Sequence, residues 1–190
     1  SGIGKVSSYG KSFGIYSLRD YDIDIAVPRL EKNSGRGHRD FEVYADPFLG
    51  TEKAAKRRDF TMNAIMMDVL TGGIIDHFGG MEDINKGVIR HVNDESFVED
   101  PLRVLRACSF AARFEFDIAD ETIALCSSMD LTALPKERIE EELKKALLKG
   151  KKPSLFFENL RKMDQLGCWF AEFTDLIGQV QDEKYHPEGD

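Results

Sequence analysis

Cysteine is scarce in this sequence, and its spacing is not that of a metal site. The 190 residues include three cysteines, Cys108, Cys126 and Cys168. They form no Cys-x-x-Cys pair and no zinc-type pattern with histidine. Their odd number argues against a disulfide framework. We therefore expect buried, reduced thiols in a cytoplasmic protein.

Long apolar runs are also absent. No stretch approaches the roughly 18 apolar residues that a membrane helix needs, and no signal peptide opens the chain. We expect no membrane partner. The chain starts at Ser1 instead of a methionine and stops at His186–Asp190, so we expect a fragment of a longer protein.

An excess of positive charge is missing as well, because the formal net charge is −8. Binding to nucleic acid needs a basic surface, however, and not a basic composition. Residues 29–58 carry eight basic and five acidic side chains, a local balance of +3. The charge therefore permits RNA binding locally without requiring it.

The pattern of secondary structure changes near residue 93. Before it, short alternating segments predict strands at 14–18, 21–27, 41–44 and 74–78. A polar loop at 31–39 and a short helix at 50–57 lie between them, and 60–69 fits either helix or strand. After it, helices are predicted at 100–114, 120–129, 135–148 and 153–166. The sequence thus predicts an α+β chain with a mixed or antiparallel sheet in a head (1–92), an all-helical neck and body (93–178) and a linker (179–190).

The strongest local signal is the run from Arg57 to Ala64. Two guanidinium groups, on Arg57 and Arg58, offer rigid donor forks for phosphate oxygens. Asp59 and Asn63 would share one face if the run is helical, and they would then suit ribose hydroxyls. A surface ion pair between arginine and aspartate explains the same residues equally well.

A second signal is the pair Asp100 and Arg103, three residues apart at a predicted helix start. On one helix face, a carboxylate and a planar donor fork match the hydrogen-bonding edge of a nucleobase. The simpler alternative is a salt bridge between the two residues.

The third signal is the pair Asp22 and Asp24 on a predicted strand. Alternate strand residues point to the same side, and paired carboxylates hold Mg²⁺ in many enzymes of phosphoryl transfer. An exposed polar strand face is the alternative.

Taken together and in order, these motifs resemble the bacterial tRNA nucleotidyltransferase and poly(A) polymerase family. The resemblance covers nearly the whole chain. It is carried by Arg58-Asp59-Phe60-Thr61-x-Asn63-Ala64, Asp76-x-Phe78-Gly79-Gly80-x-x-Asp83, Glu99-Asp100-Pro101-Leu102-Arg103-Val104-Leu105-Arg106 and Phe110-Ala111-x-Arg113-Phe114.

The resemblance implies a nucleotidyltransferase head of the polymerase-β type and a role for each motif. Arg58, Asp59 and Asn63 would hold ribose and phosphates. Asp100 and Arg103, with Arg106 beside them, would bind the nucleotide and read cytosine or adenine in place of a template base. Asp83 and the glycines before it would lie where head and neck join. Glu137 and Arg138 would have a structural role in the neck.

One departure concerns the metal ligands. Family members open with Gly-Gly-x-Val-Arg-Asp and a following Asp-x-Asp, and this chain shows neither. We assign Asp22-Ile23-Asp24 to the next strand, where Asp24 would be a third, catalytic carboxylate at the Mg²⁺ site and Asp22 an accessory one. In the other register, Asp22 and Asp24 are themselves the metal pair. In our register the chain cannot add nucleotides alone, and its end leads toward an absent hydrolase domain.

The resemblance implies an enzyme that adds CMP and AMP to the 3′ end of tRNA, with CTP, ATP and Mg²⁺. Two alternatives stay open. One is a poly(A) polymerase, or an enzyme that adds only part of CCA. The other is a non-catalytic RNA-binding module that retains the fold.

Overall fold

The computed structural model of the chain describes residues 6–9, 15–18, 23–33, 41–179 and 184. These form two compact units, Ser1–Ala54 and Ala55–Asp190. The head–neck boundary predicted at residue 92 falls inside the second unit, and that division stays a prediction. Asp22 and most of the predicted linker lie outside the described residues.

The first unit contains two antiparallel sheets. One is three-stranded, in the order β1 (Val6–Tyr9), β2 (Ile15–Leu18) and β3 (Ile23–Ala26), and Ser17 of β2 lies opposite Asp24 of β3. The other pairs β4 (Arg29–Asn33) with β5 (Phe41–Ala45).

The predicted strands at 14–18 and 41–44 are confirmed over the part of each that is described, and the predicted strand at 21–27 is confirmed over Ile23–Ala26. Residues 31–33 of the predicted loop belong to β4, so that part of the loop prediction is wrong. The remainder of that loop is outside the described residues.

The second unit opens with short elements. Helix α1 (Thr51–Lys56) spans the boundary, and it is followed by a 3₁₀ turn (Thr61–Asn63) and the hairpin of β6 (Met66–Met67) and β7 (Ile74–Ile75). The ambiguous run 60–69 is therefore mostly turn and short strand, because the hairpin closes at Asp68, whose carboxylate accepts from the Leu70 and Thr71 amides. The carboxyl group of Asp68 thereby acquires a lowered pKa, chiefly through the Thr71 amide.

The remaining elements are mostly helical. They are α2 (Gly80–Lys86), β8 (Val88–Ile89), α3 (Asp94–Phe97), α4 (Leu102–Phe114), β9 (Asp117–Ile118), α5 (Asp120–Ser127), α6 (Lys136–Lys149), α7 (Ser154–Lys162), α8 (Leu166–Trp169) and α9 (Ala171–Thr174). Strand β9 pairs in parallel with β8, so the expectation of helix alone after residue 93 is wrong at this point. Among the described residues, no helix is both long and apolar enough to cross a membrane.

Helix α4 is the centre of the core. Its apolar side packs against α6 and α7, and it buries Leu105, Cys108 and Ala112 completely or almost so. Phe60 lies under this helix with its ring edge-on to Phe97 and Phe110. Phe114, the last residue of the helix, remains 39% exposed. The opposite side of α4 carries arginines, so burial of one face fixes where those cations point.

The Asp76–Asp83 motif holds the start of α2 against the 3₁₀ turn. Asp76 caps the helix, because its carboxylate accepts from the amides of Gly80 and Met81 at 2.9 Å each. A side chain at Gly80 would place its Cβ 2.2 Å from the Thr61 carbonyl oxygen. Buried Asp83 accepts from the Thr61 hydroxyl at 2.7 Å and from Arg90. These contacts hold Thr61, which lies between Asp59 and Asn63 in the sequence.

Candidate nucleotide-binding site

An open pocket of about 310 Å³ lies in the second unit, at the amino-terminal end of α4. Five arginines and two aspartates dominate its wall, which gives the lining a formal charge of +3. The lining residues are Arg57, Arg58, Asp59, Asp100, Leu102, Arg103, Arg106 and Arg138. Two motifs that are far apart in the sequence therefore meet in one concave, positively charged site.

Asp59 is the buried hub of this pocket. One of its carboxylate oxygens accepts from the Phe60 amide at 2.9 Å and from Asn63 Nδ2 at 3.0 Å. The other accepts from Arg106 Nε at 2.8 Å and lies 2.6 Å from Arg106 Nη2. Asp59 and Asn63 are close although the run from Arg57 to Ala64 is not an α-helix, because the 3₁₀ turn at Thr61–Asn63 brings Asn63 back toward Asp59. With about two donors on each oxygen, the carboxylate is largely saturated, so it orients Asn63 and Arg106.

Arg106 is held between two carboxylates. Besides Asp59, Glu142 of α6 lies 3.7 Å from Arg106 Nη1. Glu142 is 3% exposed and also accepts from Lys145 at 2.8 Å. The guanidinium lies over the Phe110 ring, 5.3 Å from its centroid. Sequence reasoning missed Glu142, and its only signal was a carboxylate on a face of α6 that is otherwise apolar.

Asp100 is not paired with Arg103, so the alternative of a simple i,i+3 salt bridge is wrong. Asp100 precedes α4 and accepts from the Leu102 amide at 3.2 Å. Its carboxylate receives a two-pronged contact from Arg138 of α6, with Nη1 at 3.2 Å and Nη2 at 2.9 Å. The structural role expected of Arg138 is thus a specific one, since it fixes the plane of the Asp100 carboxylate.

Arg103 is anchored by backbone carbonyls. Its Nη1 donates to the Ser96 carbonyl oxygen, and its Nη2 donates to the Arg57 carbonyl oxygen at 3.0 Å. The guanidinium carbon lies 5.8 Å from the Phe97 ring centroid. Burial lowers the pKa of Arg103, while the nearby Asp59 and Asp100 oppose that shift. The side chain is therefore half-buried and held in place.

Both predicted base-reading groups still have hydrogen-bonding capacity in the pocket. Arg103 uses two of its five N–H groups on the two carbonyls, and three remain. The Asp100 carboxylate has roughly four acceptor positions, of which Leu102 and Arg138 occupy three. One acceptor and up to three donors are thus available side by side, each held from behind by a fixed partner.

Arg58 differs from the other arginines of the pocket. It is exposed, and its guanidinium forms no ion pair or hydrogen bond with any described residue, although its backbone amide donates to the Ala55 carbonyl oxygen. Arg57 is half-buried beside it. A cation that no described residue neutralises is suited to an anionic ligand such as phosphate.

One of the two predicted metal ligands, Asp24, lies in the first unit, and the other lies outside the described residues. Asp24 is exposed in the middle of β3, and Asp22 is not among the described residues. Within the described ranges, no group of three or more histidine, cysteine, aspartate or glutamate side chains is placed to hold a metal ion. Asp24 alone is one carboxylate ligand and does not make up a complete metal site.

Comparison with known proteins agrees with the motifs. Residues 4–90 match the family model described as the Poly A polymerase head domain. The chain is 43% identical over 191 aligned positions to the Multifunctional CCA protein of Stenotrophomonas maltophilia, a match that covers 97% of this chain and 47% of that protein. It spans about half the length of the curated relatives that it matches.

Solved structures give the same result. The Thermotoga maritima CCA-adding enzyme complexed with tRNA matches with a TM-score of 0.68 and 29% identity, over 95% of this chain and 40% of that one. The Bacillus stearothermophilus CCA-adding enzyme in complex with CTP has a TM-score of 0.68 and 28% identity, over 85% of this chain and 39% of that one. The α+β fold with a nucleotidyltransferase head, predicted from the sequence, is confirmed. The chain belongs to the family of bacterial tRNA nucleotidyltransferases and poly(A) polymerases.

Proposed function

We propose that this protein is a template-independent nucleotidyltransferase that adds CMP and AMP to the 3′ end of tRNA. The observation that carries this proposal is the presence of Asp100 and Arg103 in the lining of one pocket, each anchored by other residues and each with free hydrogen-bonding capacity. The tRNA-bound and CTP-bound relatives support the choice of acceptor and nucleotide.

The chemistry of the pair explains selection of cytosine and adenine. Both bases carry an exocyclic amino group, which donates to an acceptor such as the open position on Asp100. Guanine and uracil present a carbonyl oxygen at the corresponding place, and a carboxylate repels it. The free N–H groups of Arg103 would donate to ring nitrogens or carbonyl oxygens. Two side chains thus take the place of a template base.

The remaining arginines suit the triphosphate. The pocket's formal charge of +3 complements a nucleoside triphosphate, and Arg58, whose guanidinium has no partner among the described residues, is positioned to donate to its oxygens. In the reaction, the 3′-hydroxyl of the RNA forms a new ester bond to the α-phosphate. The bond between the α- and β-phosphates breaks, and pyrophosphate leaves.

Enzymes of this family generally use a divalent metal. We propose Mg²⁺ as that metal, with Asp24, and Asp22 beside it, among the ligands. An exposed carboxylate such as Asp24 is the type of oxygen ligand that Mg²⁺ takes, usually together with substrate phosphates and water. When bound, the ion would neutralise charge that develops on the phosphate oxygens.

The test replaces Asp100 by asparagine in the natural protein. An amide offers a donor as well as an acceptor, so Asp100→Asn should admit GTP and UTP. We expect discrimination against them to fall by about 1–3 kcal/mol, or roughly 5- to 150-fold in relative kcat/KM. The assay supplies tRNA that lacks CCA with each nucleotide in turn, and the products are sequenced.

Glu99→Gln is the matched control, because it makes the same acid-to-amide change one residue away on an exposed side chain. It should leave discrimination intact. Unchanged selectivity in Asp100→Asn would refute the base-reading role. Runs of adenylate would identify a poly(A) polymerase, and absence of addition by the wild type would identify a non-catalytic module.

A further inference from the structure

A strongly basic stretch lies apart from the pocket, at the end of α6 and the start of α7. Residues 143–157 contain five lysines and no acidic residue, in a chain whose net charge is −8. Two of the five are paired within α6, Lys144 with Glu140 and Lys145 with Glu142. The other three, Lys149, Lys151 and Lys152, are exposed, and no described residue forms an ion pair with them.

The fold brings a fourth cation, Arg113 of α4, close to these three lysines. The Lys152 amide donates to the Ala112 carbonyl oxygen at 3.0 Å, so the α6–α7 connection lies against the carboxyl-terminal end of α4. That end carries Arg113, whose guanidinium lies 5.5 Å from the Phe110 ring centroid and 5.2 Å from that of Phe114. Gly150 suits this tight connection, because a Cβ there would lie 2.0 Å from the Ala146 carbonyl oxygen of α6 and 3.4 Å from the Ala112 carbonyl oxygen of α4. We call Arg113, Lys149, Lys151 and Lys152 the α4–α6 basic surface.

Helix stabilisation does not account for all of this charge. A lysine at the carboxyl-terminal end of a helix is favourable, which explains Lys149. Lys151 and Lys152, however, precede the first residue of α7, where the helix dipole disfavours a cation and favours an anion. In the sequence, Glu115 follows Arg113 by two residues, and Glu158 follows Lys152 by six. The lysines and the amino terminus of the helix together suit an anionic ligand.

The position of this surface relative to the pocket indicates which anion it binds. Lys149 follows Arg138 by eleven residues on α6, which is about 16 Å along the axis and nearly the same face of the helix. At about 3.4 Å per phosphate on one strand, that distance corresponds to roughly five nucleotides. An RNA whose 3′ end lies in the pocket can therefore bring the backbone of its adjacent segment to Lys149.

We propose that the α4–α6 basic surface binds the phosphate backbone of the acceptor RNA, next to its 3′-terminal nucleotides. The contact is electrostatic and independent of sequence, so it serves every tRNA alike. The inference rests on the proposed function for the identity of the RNA. The relation between the pocket and the surface rests on α4 and α6 alone.

The test removes three charges with the variant Lys149→Gln/Lys151→Gln/Lys152→Gln in the natural protein. The probe is a fluorescent tRNA that lacks CCA, titrated by anisotropy at several KCl concentrations. We expect the slope of log affinity against log salt to fall by about 2–3, and the affinity to fall at least about tenfold near 0.1 M salt. The matched control, Lys86→Gln/Arg161→Gln/Lys162→Gln, removes the same charge from α2 and the far end of α7, and it should keep the wild-type slope.

Wild-type affinity and slope in the first triple variant would overturn the inference, as would equal losses in both triple variants. Loss of binding to anionic lipid vesicles without loss of RNA binding would overturn it too. If the triple variant does not fold, Lys151→Gln alone should still lower the slope by about 0.7–0.9. Addition of CMP and AMP by the wild type is scored separately, so the proposed function can fail while this surface still binds RNA.

Discussion

Arg103 should matter for stability as well as for nucleotide choice, and Arg103→Ala measures by how much. The guanidinium donates to the carbonyl oxygens of Ser96 and Arg57, and a hydrogen bond from a charged donor contributes about 1.5–3 kcal/mol. Because Arg103 is half-buried, we take the lower end of this range, about 1.5 kcal/mol, as the upper limit for each bond. The loss should then be about 2–3 kcal/mol of unfolding free energy.

The assay is thermal and urea unfolding of the wild type and the variant at pH 7. For a folded unit of this size, 2–3 kcal/mol corresponds to a fall in Tm of roughly 5–10 °C. Arg58→Ala is the matched control, because Arg58 lines the same pocket but is exposed and has no described partner. Its unfolding free energy should stay within about 0.5 kcal/mol of the wild type.

Equal Tm values for Arg103→Ala and Arg58→Ala would refute the anchoring role. If Arg103→Ala is destabilised, a loss of nucleotide selectivity in that variant cannot be assigned to base reading alone. Asp100→Asn is the cleaner probe, since asparagine keeps the shape of aspartate and the Leu102 amide can still donate to its side-chain oxygen.

Two further predictions concern groups outside the pocket. Hydrogen bonds from the Met81 amide, and to a smaller extent from the Gly80 and Phe78 amides, hold the pKa of Asp76 below its usual range. The helix cap made by Asp76 therefore stabilises the fold above about pH 4, and this stabilisation is lost as the pH falls through the lowered pKa. Asp76→Ala should therefore cost about 1–2 kcal/mol by urea unfolding at pH 7, and a cost that is the same at pH 3 would contradict this. Burial raises the pKa of Cys126 to about 12 and that of Cys108 well above its usual range. Thiol titration at pH 8 should therefore label only Cys168 in the native chain and all three cysteines after unfolding. Rapid labelling of two thiols in the native chain would contradict this prediction.

The sequence indicated which of the predicted site residues lie near one another, because short spacing determines their local geometry. Asp100 and Arg103 are three residues apart at a helix start, and Asp59 and Asn63 are four apart around a tight turn. In both cases the local backbone conformation brings the two side chains near each other, independently of how distant parts of the chain fold. The same locality explains why the strands at 14–18, 21–27 and 41–44 were recognised from their alternation.

The partners of those residues could not be predicted, because they come from distant elements. Arg138 is 38 residues from Asp100, and Glu142 meets Arg106 only because α6 packs against α4. Nothing in the spacing within either helix indicates which residues of the other it will face. Two-residue strands such as β9 were missed for a related reason, since they depend on a partner strand and carry no periodicity of their own.

The acidic composition and the proposed binding of two polyanions are compatible because charge acts locally. At physiological salt, interactions between exposed charges fade beyond a Debye length of about 8 Å. A phosphate in the pocket therefore responds to the lining charge of +3 and not to the net charge of −8. The buried carboxylates of Asp59 and Glu142 hold Arg106 without adding a negative surface, because their oxygens are used by cations and amides. These acidic residues near the pocket orient arginine side chains, which is why counting charges along the sequence underestimates how positive the site is.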